Sequence, residues 1–252
     1  MNDKELNIKS STVEKGLDLA KDFLGKLITP SIEELGLVLS DNIKYFRFKN
    51  QVKILLKAKN ITEKNNINIK QIPIKLLVPL LENASLEEDD KLQDKWAVLL
   101  ANMVDSEQNT QNHIFPYILS QISLEEYTEL HLIKKNEDDF KIKQLRHQIL
   151  IEKEGRNNHS DEFKELNTLI KKIKQDGFKL ILEKFELANL ERLGLIRMLP
   201  PKIQIDDRKR YTGRIVFGAF NQIKAEYISD EFKYRITELG IKFIEALNTK
   251  TK

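Results

Sequence analysis

Apolar positions recur at steps of three and four along most of this chain, the spacing of helices with one buried face. Val13, Leu17, Ala20, Leu24, Leu27 and Ile28 make the first such stripe. Ser11 and Glu14 have the S-x-x-E spacing that opens a helix, so the ten residues before Ser11 are expected to fray. Thr29-Pro30 predicts a second helix, running to about Lys59 and roughly 40 Å long at ~1.5 Å per residue. Its inner face is Ile32, Leu35, Val38, Leu39, Ile43, Phe46, Leu55 and Leu56, and the short connection makes the two helices antiparallel neighbours. Gly16, Gly25 and Gly36 fall inside them, where each costs about 1 kcal/mol against alanine. Close helix–helix approach is the plain explanation and a reversible membrane-surface role the sharper one.

Asn60 to Gln71 is a polar connector. Pro73 and Pro79 punctuate the next apolar run, which predicts a short helix or two half-helices with a kink or break near Pro79. Ser85 and Glu88 then fit a capping box, followed at helical spacing by the predicted structural core Leu92, Trp96, Leu99, Leu100 and Met103. The only tryptophan makes this stretch the expected packing centre. Asp105 to Gln111 reads as a loop, and Ser123 with Glu126 as a third capping box, opening a helix through Leu130 and Ile133.

From Asn136 to about Lys184 charges of both signs alternate densely. Leu145, Ile149 and Ile151, then Phe163, Leu166, Leu169, Ile170 and Ile173, predict two helices with narrow apolar stripes, peripheral or projecting. The segment after Phe185 differs again. A helix through Leu187 ends at Gly194, a natural C′ residue, and Pro200-Pro201 bars further helix. Lys202–Asp206, Arg214–Phe220 and Tyr227–Ile236 alternate as short strands, and Thr237 caps a last helix. This order resembles the end of a winged-helix domain. The fold expected is therefore mainly α with a small β element: a helical N-terminal and central body, and a winged-helix-like C-terminal segment with a short antiparallel sheet. Its parts are 1–71 (long helix hairpin and connector), 72–135 (helical core with Trp96), 136–184 (charged helices) and 185–252.

Composition narrows the setting. Of the 252 residues 40% are hydrophobic and 32% charged, which suits helices with one buried face. The absence of cysteine excludes disulfides, thiolate metal sites and cysteine nucleophiles, and fits a reducing cytosol. Met1-Asn-Asp-Lys-Glu lacks the layout of a secretion signal, and no run reaches the ~18 apolar residues of a membrane span. The protein is expected to be cytoplasmic, with no integral membrane segment. A net charge of +3 is too small to name a partner.

Candidate chemistry is sparse. The acid block Glu87 to Asp90, with Asp94 one turn on, could suggest a hard cation. Contiguous carboxylates at a helix start point in different directions, however, and they complement the helix dipole without a metal. No metal is expected there. His113, His131, His147 and His159 show no paired spacing, and no phosphate-cradling glycine motif is present, so no cofactor is expected. Asp206-Asp-Arg-Lys209 contains the Asp-x-Lys half of a nuclease pattern at a strand end, without an acidic partner on a preceding strand. The strongest binding signal is Lys202, Arg208, Lys209, Arg210 and Arg214 with Tyr211 among them, a set suited to phosphate contact and stacking.

Pro73 to Asp90, followed by Leu92-Gln-Asp-Lys-Trp-Ala-Val-Leu-Leu-Ala-Asn102, resembles the Abi-alpha (abortive infection alpha) family of bacterial proteins. His113 to Glu126 is similar to a further element of that family, with the proline displaced to Pro116. Pro30 to Asn50 and the Thr237-Glu-Leu-Gly ending also agree. The resemblance implies a role in defence against bacteriophage, in which infected cells stop growing or die before progeny emerge. It carries no catalytic residues to transfer. The expectation is a non-enzymatic defence protein acting through contacts with a phage or host protein or with nucleic acid, and forming a homo-oligomer. The alternatives are a winged-helix nucleic-acid-binding regulator and a metal-dependent nuclease toxin.

Overall fold

The structure, a computed structural model, describes residues 3–28, 45–107, 112–154, 160–176, 178, 180–199, 202–203, 227–228 and 234–249. Among these residues the chain is mainly helical: α1 (Asp3–Leu27), α2 (Tyr45–Lys64), α3 (Ile74–Ala84), α4 (Asp90–Val104), α5 (Ile114–Leu119), α6 (Leu124–Glu154), α7 (Asp161–Asp176), α8 (Lys184–Arg192) and α9 (Glu238–Ala246). Four short strands, β1 (Ile196–Met198), β2 (Lys202–Ile203), β3 (Tyr227–Ile228) and β4 (Tyr234–Ile236), lie between α8 and α9. The chain divides into two compact units, Met1–Tyr127 with Leu239–Lys252, and Thr128–Glu238.

In the first unit α2 packs against α1 and α4. Ala20, Phe23, Leu24 and Leu27 of α1, Ile54, Leu55 and Ala58 of α2, and Leu92, Trp96, Leu99, Leu100 and Met103 of α4 are all buried. Each fully buried leucine contributes about 1.5–3 kcal/mol of transfer free energy. α3 is one helix rather than two halves: Pro79 lies on its exposed side while Leu76, Leu77, Leu80 and Leu81 face inward. α2 continues past Lys59 to Lys64, and its predicted start at Pro30 lies outside the described residues. It ends in a Schellman turn with Asn66 at φ 49°, where Ile67 N–H donates to Thr62 and Asn66 N–H to Glu63. The connector then pairs with the end of α4 through an antiparallel bridge, Ile69 to Asp105.

Two starts differ from the sequence reading. α1 begins at Asp3, so Ser11 and Glu14 are interior to it. Ser85 and Glu88 form no capping box, because Ser85 is the C-cap of α3 and its hydroxyl donates to Glu82 C=O at 2.6 Å. α4 is capped instead by Asp89, whose carboxylate accepts from the Lys91 and Leu92 amides. The third box forms as expected: Glu126 N–H donates to Ser123 Oγ at 3.1 Å and Ser123 N–H to Glu126 Oε2 at 2.7 Å. Close approach does not explain the glycines of α1. A methyl added at Gly16 would meet Leu56 Cδ1 at an ordinary 3.7 Å, and one at Gly25 would meet nothing within 4 Å. Gly36 lies outside the described residues.

In the second unit α6, 31 residues long, joins the helix expected after Ser123 to the first of the two expected in the charged stretch, and α7 is the second of those two. Phe140 and Ile170 form a small core with Leu166, Ile173 and Phe178, and the Phe140 and Phe178 rings meet edge-on at 6.5 Å. His147 stacks on Phe163 at 4.7 Å. α8 ends in a second Schellman turn. Gly194 sits at φ 73°, its N–H donates to Glu191, and Leu195 N–H donates to Leu190, with Leu190 and Leu195 fully buried. β1 follows at once, a strand not among the three expected from the sequence, and pairs antiparallel with β4 from Ile196–Ile236 to Met198–Tyr234. β2 pairs antiparallel with β3, Lys202 opposite Ile228.

Candidate functional site

The acid block is engaged by lysines of α2. Lys53 Nζ lies 2.5 Å and Lys57 Nζ 2.9 Å from Asp90 Oδ1, and Lys57 also reaches Asp94 at 2.5 Å. The Lys53 hydrogen bond, with Lys57 adding to it, holds the Asp90 carboxyl down to about 2. Asp89 is committed to the α4 amides. The block thus starts a helix and ties it to α2. Among the described residues no group of three histidine, aspartate or glutamate side chains is placed to hold a metal ion.

Buried polar side chains brace the same helices. Asn50 Nδ2 donates to the carbonyls of Ser85 (3.1 Å) and Glu87 (2.8 Å), Gln51 Nε2 to Leu81 C=O (3.2 Å), and Gln93 Nε2 to Glu87 C=O (2.8 Å). Arg47 Nε reaches Ser85 Oγ at 2.9 Å. The Asn50 and Gln93 amides satisfy the Ser85 and Glu87 carbonyls beyond the end of α3, while Gln51 adds a second donor to Leu81 C=O, which also accepts the Ser85 amide. Asn102 does the same for α9, donating to Ala246 C=O at 2.8 Å and Asn248 C=O at 3.1 Å. Sequence periodicity could not single out these residues, because it registers apolar positions; Asn102 carried one signal, a polar residue inside an apolar stripe.

The second unit holds two buried carboxylates of α6. Glu129 accepts the Ile181 amide through both oxygens at 3.3 Å, and Glu137 accepts the Ile236 amide at 2.7 Å. Burial pushes both carboxyls above the usual range, against the backbone hydrogen bond that lowers each. The Thr237 hydroxyl donates to Gly194 C=O at 2.5 Å, which fastens the end of β4 to the α8 turn. Lys202 is placed in β2; Arg208, Lys209, Arg210, Tyr211 and Arg214, together with Asp206 and Asp207, lie outside the described residues.

Two grooves face outward. One, of about 500 Å³, is lined by Lys75, Leu76 and Pro79 of α3, by His113, and by Ile114 and Tyr117 of α5. Tyr117 is 57% exposed at its edge. The other, of about 640 Å³, runs between α6 and α7. No helix among the described residues is long and apolar enough to cross a membrane.

These features define a helical protein whose acidic and amide side chains brace its own fold, and whose outward grooves carry apolar and charged residues together. The chain belongs to the abortive infection alpha family, whose profile matches residues 42–247. No curated protein and no solved structure matches it.

Proposed function

We propose that this chain defends bacteria against phage by binding a phage or host protein, without catalysing a reaction. The observation that carries this reading is the fate of the acid block, where Asp89 caps α4 and Asp90 and Asp94 pair with Lys53 and Lys57. Family membership supplies the setting. The α3–α5 groove suits a protein partner, since Tyr117 and Ile114 offer apolar area beside Lys75. Plaque counts on cells expressing variants test it. Asp90→Asn with Asp94→Asn is expected to keep protection, and Tyr117→Asp with Ile114→Asp to abolish it at unchanged protein level. Loss of protection in the first pair alone would favour a catalytic or metal-dependent role.

A second reading, a winged-helix-like contact with nucleic acid, draws on the antiparallel β1–β4 and β2–β3 pairs after α8, with Lys202 in β2. It predicts anisotropy-detected binding to DNA or RNA that weakens as salt is added. Replacing Arg208, Arg210 and Arg214 should remove that binding, and salt-insensitive or absent binding would end the reading.

A further inference from the structure

The β1–β4 ribbon sets two arginines across from each other. Arg197 and Arg235 are cross-strand partners in its register. Thr237 N–H donates to Leu195 C=O at 3.0 Å, so that rung and the next alternate one, Arg197–Arg235, are the hydrogen-bonded rungs. At such a rung the two side chains leave the same face of the ribbon, from Cα atoms about 5.5 Å apart. Like charges placed this way destabilise a sheet, whereas opposite charges support it.

The nearby carboxylates do not stand between the arginines. Glu191 accepts the Met198 amide at 2.9 Å and Glu137 the Ile236 amide at 2.7 Å. These amides belong to the rungs on either side of the arginine pair, where N–H groups point away from the partner strand. One carboxylate therefore closes each outer edge of the ribbon, and the face between them carries the two guanidinium side chains. Arg235 and Lys141 both favour the ionised form of Glu137. Arg197 is exposed, with no ion pair among the described residues.

An anion with more than two acceptor oxygens would join the pair. Each guanidinium is a rigid fork of N–H donors that takes two oxygens of one anion. A carboxylate fills one fork, whereas a phosphate group presents oxygens to both and brings charge that offsets the repulsion. We propose that Arg197 and Arg235 together bind a phosphate group across the β1–β4 ribbon. The inference rests on neither functional reading above. It does not involve the α3–α5 groove, and neither arginine belongs to the basic cluster from Lys202 to Arg214.

Thermal unfolding of the full chain in sodium phosphate and in sodium chloride of equal ionic strength tests the proposal. Phosphate is excluded from protein surfaces and stabilises most folds, so wild type and Arg197→Gln are compared in each salt. The wild type is expected to gain more from phosphate than the variant. The apparent phosphate dissociation constant is expected to rise at least tenfold in Arg197→Gln and in Arg235→Gln. In chloride, Arg197→Gln is expected to unfold no lower than the wild type, since it removes a like-charge pair. Equal gains from phosphate, or an Arg197→Gln that unfolds lower in chloride, would overturn the proposal. Anisotropy with a fluorescein-labelled oligothymidylate separates the sources of the phosphate. Binding at least tenfold tighter than inorganic phosphate, and lost in Arg197→Gln, assigns the site to a nucleic-acid backbone. Binding no tighter than inorganic phosphate assigns it to a small phosphorylated compound.

Discussion

Trp96 is 1% exposed, yet its indole Nε1 has no hydrogen-bond partner among the described residues. Buried tryptophans usually satisfy this group, so Trp96 is held for its area rather than its donor. Trp96→Ala is expected to cost about 3–5 kcal/mol in urea unfolding. Trp96→Phe is expected to cost under about 2 kcal/mol, because removing an unbonded N–H recovers a desolvation penalty of about 1–3 kcal/mol. Equal costs for the two would show that the indole is specifically required. Glu137 makes the opposite case, a buried carboxyl whose hydrogen bond to Ile236 does not offset its desolvation. Its folded pKa lies above 4.5, so the folded protein takes up this proton more readily than the unfolded chain. Its contribution to stability is present below pH 4.5 and lost as pH rises through the folded value. Thermal midpoints should therefore fall as pH rises through that window, and Glu137→Gln should flatten the profile there. Asp90 acts in a separate range: its contribution is present above pH 3.8 and lost as pH falls toward about 2.

Helix ends decide how far each element could be read. Ser123 and Glu126 were legible because the box stands alone before its helix. Ser85 and Glu88 misled because the same letters follow a helix, whose closing turn claimed the serine while Asp89 supplied the cap. α6 read as two helices because its apolar residues serve two faces, Ile133 and Phe140 inward, Ile142 and Leu145 outward, so no single stripe runs its length. β1 escaped because a three-residue strand directly after a helix has too few alternations to register. The basic cluster was the clearest binding signal in the sequence, but of its six residues only Lys202 is among those described. Two helix glycines should respond to alanine with opposite signs. Gly194→Ala forces a methyl into the left-handed region and is expected to cost about 1–2 kcal/mol. Gly25→Ala enters open space inside α1 and is expected to gain about 1 kcal/mol. Both are read from denaturation midpoints.

At the scale of the molecule, sequence neighbours and packing partners diverge. α9 follows the strands along the chain, yet Leu239–Lys252 belongs to the unit built on Trp96. Asn102 holds its last carbonyls, and Phe243 meets Phe115 with ring centres 5.9 Å apart. Phe243, Ile244 and Leu247 are fully or almost fully buried. Deleting residues 239–252 is therefore expected to destabilise the Trp96 core by several kcal/mol, read as a red shift of tryptophan fluorescence at neutral pH. An unshifted spectrum would mean that the first unit is stable without α9.

That placement of α9 also sets an order of events during synthesis. Helices α1 to α5 leave the ribosome before Phe243 and Leu247 exist, so their core stays open while more than a hundred residues are still being added. A chain halted in that interval presents Phe115 without the Phe243 ring and Asn102 without the α9 carbonyls it binds, the kind of unfinished surface that chaperones and proteases recognise. The first unit is therefore the last to be completed although its helices are made first.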